Sequence, residues 1–261
     1  MFHYTKCVLK VGPRIILDYF SWMNKYARHP EKYDIEIRYN KLRKLLTKMA
    51  KGFDVEFHVE GLEKLPKEIF CMVANHISNY DPLALITILD KPSTFVAKKE
   101  LLNKPFIGKI MRDIDVICID RKDLKQSLRA MMKVEEDLKN KKDKNWIIFP
   151  EGTRNKDQQS LIKEFHHGTF RPAVKANVPI VPIAIYGTFR VLNIKRQFKK
   201  YPVYIKILDP IYPEDYKALQ TPQIAEMTRE KIQSALSFEL RKLDHLEMSK
   251  NDKKYKHNEI I

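Results

Sequence analysis

Apolar and polar positions fall into two regimes along this chain. Over residues 13–28, Ile15, Ile16, Tyr19, Trp22, Met23 and Tyr26 recur at helical spacing. Arg14, Asp18, Ser21, Lys25 and Arg28 take the other face. This predicts an amphipathic helix with Pro13 in its first turn and Pro30 past its end. A second helix is predicted over 34–51. Its apolar stripe is Ile35, Tyr39, Leu42, Leu46 and Met49, and Lys41, Lys44, Lys48 and Lys51 line another face. Such a pair, rich in aromatics and lysine, fits a cover for a core or a segment lying in a membrane interface, or both at once.

From residue 52 the pattern shortens. Apolar runs at 55–59, 69–74, 94–97, 116–119, 146–149, 179–186 and 203–208 read as strands. Helical stretches lie at 82–90, 99–112 and 123–141, and a last helix at 222–246 starts near Pro222. Alternation of this kind predicts an α/β fold, a mixed and mainly parallel sheet flanked by helices. The expected organisation is an N-terminal amphipathic helical membrane-associating segment over 1–51, an α/β domain over 52–249 and a basic flexible tail over 250–261.

Composition narrows the partners. The 261 residues are 44% hydrophobic, enough for a sizeable core. Lysine and arginine total 49 against 33 acidic residues, a formal net charge of +16. That excess points to an anionic partner: nucleic acid, a membrane surface, a phosphorylated substrate or an acidic carrier protein. The basic residues are scattered and no nucleic-acid motif is visible, so no nucleic acid is expected. Cys7, Cys71 and Cys118 are odd in number and widely spaced, as for buried thiols in a reducing compartment. No Cys/His spacing suggests zinc. No stretch reaches the length of a membrane span, and the first residues lack the long apolar core of a signal peptide. The expected location is peripheral or monotopic, on the cytoplasmic face of the cell membrane.

Two polar clusters carry the candidate chemistry. Asn75-His76-Ile77-Ser78-Asn79-Tyr80-Asp81 follows the 69–74 run, and Phe149-Pro150-Glu151-Gly152-Thr153-Arg154 follows the 146–149 run. An α/β domain places its chemistry at the C-terminal ends of strands. A turn that returns Asp81 to His76 would hold one ring nitrogen protonated and free the other to accept a proton from a hydroxyl. Each residue also has a structural reading. His76 fits a capping or core histidine, and Asp81 before Pro82 fits a helix N-cap.

Four blocks in order decide between these readings. They are Asn75-His76 with Asp81; Lys98-Lys99-Glu100-Leu101 through Pro105 and Gly108 to Ile119-Asp120-Arg121; Phe149 to Arg154; and Val178-Pro179-Ile180-Val181-Pro182. Gly168, Phe170 and Ala173 fill the spacer before the last. Over about residues 55–210 the chain resembles the glycerolipid acyltransferases, specifically the bacterial 1-acylglycerol-3-phosphate acyltransferases. The resemblance implies transfer of a fatty acyl group from a thioester, acyl-CoA or acyl-carrier protein, to the free hydroxyl of lysophosphatidic acid, forming phosphatidic acid. His76 would be the general base and Asp81 its orienting partner, with no acyl-enzyme, cofactor or metal. Arg121 and Arg154 would hold the acceptor phosphate, with Lys98 adding a point charge. Gly152 would let the loop approach the ligand, and Glu151 would orient Arg154 or bond an acceptor hydroxyl. Asn75 and Thr153 complete the expected substrate-binding set, and Pro179 would help form the acyl-donor side.

Two positions depart from the family pattern. Asp115 stands where a glycine is common, and His166-His167 follow Phe165 where a lysine is common. A changed acceptor preference is expected to show there. The alternatives are an acyltransferase for another lysophospholipid or an amino-acid lipid, and a basic non-catalytic protein that binds membranes or nucleic acid.

Overall fold

The computed structural model describes residues 2–120, 123–141, 143–155, 162–192 and 200–236. Its strands are β1 (Val55–Glu60), β2 (Cys71–Ala74), β3 (Ser93–Lys98), β4 (Ile117–Ile119), β5 (Asn145–Ile148), β6 (Ile180–Tyr186) and β7 (Tyr201–Ile207). They form one seven-stranded sheet in the order β1-β7-β6-β2-β5-β3-β4. All pairs are parallel except β6 with β7. The mixed, mainly parallel sheet expected from the sequence is present, with one strand overlapping each apolar run.

The helices are α1 (Phe2–Asp18), α2 (Asn24–Arg28), α3 (Ile35–Gly52), α4 (Asp81–Ile88), α5 (Pro105–Asp113), α6 (Leu124–Glu136), α7 (Arg171–Ala176), α8 (Pro213–Tyr216) and α9 (Thr221–Ala235). They cover both faces of the sheet, which is why β2, β5 and β6 read as unbroken apolar runs. Successive side chains of a strand point to opposite faces. Met72 and Ala74 join Tyr39, Leu42, Leu85 and Ile110 in one core. Cys71 and Val73 join Val134, Trp146, Ala173 and Ile224 in the other. Trp22, Met23 and Tyr26 are buried in the first core, so the N-terminal helices pack on the domain. Val8, Leu9, Ile16, Leu17 and Phe20 stay exposed on their outer side.

The first helix differs from expectation at its start. It begins at Phe2, and Pro13 lies inside it. The upstream turns are held by burial of Cys7 and Val11. Gly52 at the end of α3 makes room for them, since a Cβ there would lie 2.1 Å from Val11 Cγ1. A proline inside a helix removes one backbone bond, and tertiary packing offsets that loss. A π-helical turn, Tyr19–Met23, joins α1 to α2. The predicted 99–112 helix divides into a 3-10 stretch, Lys99–Asn103, and α5, with Pro105 opening the latter. The short α7 and α8, each with proline in its first turn, offered too little periodicity to be predicted. The rest of the predicted 222–246 helix and the 250–261 tail lie outside the described residues. No described helix is long and apolar enough to cross a membrane.

Asp115 has a structural reason. Its backbone is left-handed, φ +55°, where glycine is the default. Its carboxylate takes paired hydrogen bonds from Arg38 of α3, at 2.9 and 3.1 Å. The same guanidinium caps the carbonyl of Asp113 at 2.6 Å. The aspartate thus fastens α3 to the end of α5.

Candidate active site

The polar blocks converge on the C-terminal edge of the sheet because β2, β5 and β6 are adjacent and end there. His76 leaves β2, Glu151 follows β5 and Thr188 follows β6. His76 is 9% exposed, and its ring Nδ1 lies 2.8 Å from Asp81 Oδ2. Asp81 is fully buried at the first turn of α4. The same Oδ2 accepts the backbone N–H groups of Ile77 and Ser78, each at 2.8 Å, while Oδ1 accepts the Thr188 hydroxyl at 2.5 Å. An oxygen already committed to accepting requires a donor at Nδ1. The proton therefore sits on Nδ1, and Nε2 carries the lone pair. Nε2 takes no hydrogen bond among the described residues. The ring thus presents one nitrogen able to accept a proton, with a buried carboxylate fixing the other.

The loop after β5 clamps the backbone of His76 on both sides. The His76 N–H donates to Glu151 Oε1 at 2.7 Å, and the Asn155 N–H donates to the His76 carbonyl at 2.6 Å. The Phe149 ring packs on the imidazole with centroids 4.4 Å apart. Glu151 is 3% exposed, and its second oxygen accepts the Lys163 N–H at 3.3 Å. Its oxygens therefore serve backbone amides, in place of the contacts with Arg154 or an acceptor hydroxyl expected from the sequence. Gly152 has φ +66°, and a Cβ there would meet His166 Cδ2 at 3.0 Å. His166 thus lies against this loop, whereas His167 turns toward Thr221, 3.5 Å away. Thr153 and Arg154 are exposed beside the clamp.

Other expected site residues sort differently. Asn75 is fully buried, and its side-chain amide pairs with the backbone of Ile185 in both directions, at 2.8 and 3.0 Å. It splices the end of β2 to β6, a positioning role in place of the substrate contact expected. Pro179 is buried just before β6, with its carbonyl accepting from Cys71 at 2.9 Å. That is the opposite edge of the sheet, about 20 Å of strand from Ile185. Pro179 therefore shapes a strand entry and does not line this site. Lys98 ends β3 on the active edge, with Glu100 3.0 Å away. Arg121 lies outside the described residues. Asn155 and Thr188 were missed. Both are common polar residues, and only their places after β5 and β6 distinguish them.

Burial pushes the Glu151 carboxyl up to about 7 from its ordinary 4.5, and the N–H bonds from His76 and Lys163 pull it back only in part. Between these values the folded chain holds a proton that the unfolded chain has released, so stability falls as pH rises through that window. Glu151→Gln keeps an acceptor for the His76 N–H and does not titrate. Relative to this variant, the wild type is expected to lose roughly 3 kcal/mol between pH 4 and pH 8. Denaturant unfolding of both proteins across that range measures the difference.

Residues 56–186 match the model of the acyltransferase family. The chain is 32% identical over 231 residues to a probable 1-acyl-sn-glycerol-3-phosphate acyltransferase of Mycoplasma pneumoniae, covering 84% of this chain and 85% of the relative. The chain belongs to the acyltransferase family. It is also 31% identical over 190 residues to the 1-acyl-sn-glycerol-3-phosphate acyltransferase of Saccharomyces cerevisiae, covering 72% of this chain and 62% of the relative. The crystal structure of the 1-acyl-sn-glycerophosphate acyltransferase of Thermotoga maritima shares the fold. Its TM-score is 0.64 at 22% identity, over 90% of this chain and 92% of that one. The acyltransferase thus carries its His76–Asp81 pair within the region that the family model matches.

Proposed function

We propose that this acyltransferase moves a fatty acyl group from a thioester to the free hydroxyl of 1-acylglycerol 3-phosphate, giving phosphatidic acid and a thiol. The observation that carries the reading is the free Nε2 of His76, opposite an Nδ1 held by buried Asp81. Nε2 takes the hydroxyl proton as the oxygen attacks the thioester carbonyl. Asp81 stabilises the imidazolium that forms. The tetrahedral adduct collapses, the carbon–sulfur bond breaks, and the imidazolium returns its proton to the leaving sulfur. A thiol of pKa about 8.5 leaves readily, so no covalent intermediate, metal or cofactor is needed. Both acyl-CoA and acyl-carrier protein suit this chemistry as donors.

The acceptor phosphate falls to Arg154, with Lys98 and Arg121 contributing charge. Arg154 adjoins Asn155, whose N–H is tied to the His76 carbonyl, which supports a phosphate site beside the base. The guanidinium fork suits phosphate in paired hydrogen bonds. Arg154→Ala is expected to raise the KM for lysophosphatidic acid about ten- to a hundredfold. The KM for the thioester is expected to stay near the wild-type value. Steady-state kinetics with each substrate varied in turn checks this. An unchanged acceptor KM, or a preference for an uncharged acceptor, would favour an amino-acid lipid or another lysolipid instead.

The exposed Leu9, Ile16, Leu17 and Phe20 of the N-terminal helical segment support a peripheral seat on an anionic membrane. The acceptor would then enter laterally from the lipid.

A further inference from the structure

The N-terminal helices enclose a cleft of about 440 Å³ outside the catalytic edge. Arg14, Leu17 and Asp18 of α1 line it, with Ser21 and Trp22 of the π-helical turn. Lys41, Lys44, Leu45 and Lys48 of α3 form the opposite wall. The charges are unevenly matched. Asp18, 3% exposed, takes the Arg14 Nε–H at 2.6 Å and the Trp22 indole N–H at 3.0 Å. Lys41, Lys44 and Lys48 have no acidic partner among the described residues. Lys41 rests on the ring of Tyr26, 5.2 Å from its centroid, which holds its stem against the wall.

Three unneutralised ammonium groups around one cleft form a site for a compact anion. The rim decides what kind. Ile16, Leu17 and Phe20 are 61%, 59% and 74% exposed on the same helical segment. A free anion has no use for an apolar rim, and a nucleic acid would leave it in water. An anionic lipid uses both features, with its headgroup in the cleft and its chains along the rim. A phosphomonoester brings nearly two charges and three strong acceptor oxygens, the better match to three lysines than a singly charged diester. The π-helical turn widens the helix where Ser21 and Trp22 face the cleft, and such turns recur at functional sites.

We propose that the cleft between α1 and α3 is a binding site for the phosphomonoester headgroup of an anionic lipid, separate from the catalytic edge. It rests on the membrane-surface reading and not on the catalytic one. A lipid held there would seat the enzyme on membranes that contain its own substrate or product class.

The test is co-sedimentation of the full chain with phosphatidylcholine vesicles doped with phosphatidic acid or with phosphatidylglycerol, at equal measured surface charge. One variant carries Lys41→Gln, Lys44→Gln and Lys48→Gln. A control variant carries Lys125→Gln, Lys175→Gln and Lys231→Gln, on helices that cover the other face of the sheet. Each lysine near an anionic surface contributes roughly fivefold in partitioning, so the first variant is expected to lose roughly a hundredfold on phosphatidic acid. It should lose the wild type's preference for phosphatidic acid over phosphatidylglycerol as well, while the control keeps both. Equal losses in the two variants, or no preference in the wild type, would make the attraction diffuse and overturn the site. A thermal shift with inorganic phosphate but no vesicle preference would make it a free-anion site and overturn the lipid assignment. Absence of all vesicle binding by wild type would overturn it together with the membrane reading. Turnover enters none of these readouts, so the catalytic assignment stands or falls separately.

Discussion

His76→Ala is expected to lower kcat roughly a thousandfold, with a much smaller change in the KM of either substrate. His76 is 9% exposed, so its truncation costs some stability as well as turnover. One hydrogen bond to Asp81 and the contact with Phe149 disappear. These together are worth about 1–2 kcal/mol of stability. The backbone clamp to Glu151 and Asn155 uses only the His76 amide and carbonyl, so it survives the substitution. Saturating kinetics and a denaturation curve separate the two effects. A stable variant that retains turnover would remove His76 from the mechanism.

The second large effect is at Asp81, where charge and scaffold can be told apart. Asp81→Ala strands the N–H groups of Ile77 and Ser78 and the hydroxyl of Thr188 in a buried place. Each orphaned polar group costs about 1–3 kcal/mol, so a loss of about 3–5 kcal/mol is expected along with loss of turnover. Asp81→Asn behaves differently. Its amide oxygen can serve the two backbone N–H groups and Nδ1, and the Thr188 hydroxyl can rotate to accept from the amide nitrogen. The fold should then lose little, while turnover falls roughly a hundredfold or more because a neutral amide stabilises the imidazolium poorly. Wild-type turnover in the Asn variant would mean that orientation alone suffices and that the carboxylate charge does not contribute.

The sheet was legible because burial on both faces writes itself as continuous apolar runs. The 69–74 and 146–149 runs became β2 and β5, and the motifs beyond them marked the edge where His76, Asp81 and Glu151 meet. Other features depend on contacts far apart in sequence. Pro13 predicts a helix start, yet packing of Val11 against Gly52 carries α1 through it. Asn75 and Glu151 carry motif positions that suggest ligands, yet Ile185 and the backbone of His76 are what they meet. Thr188 has no local signature at all. It reaches Asp81, 107 positions away, because β6 lies beside β2. The same adjacency reverses the reading of Pro179, which sits at the strand end that faces away from His76.

In the proposed mechanism the acceptor hydroxyl itself, activated by His76, attacks the thioester. The direct measurement is rapid-mixing thiol release from a long-chain acyl thioester, with and without lysophosphatidic acid, and with intact mass of the protein recorded in parallel. Release is expected only when the acceptor is present, with phosphatidic acid in equal amount and no acylated protein at any time. A burst of thiol without acceptor, with a matching mass increase on the chain, would contradict it.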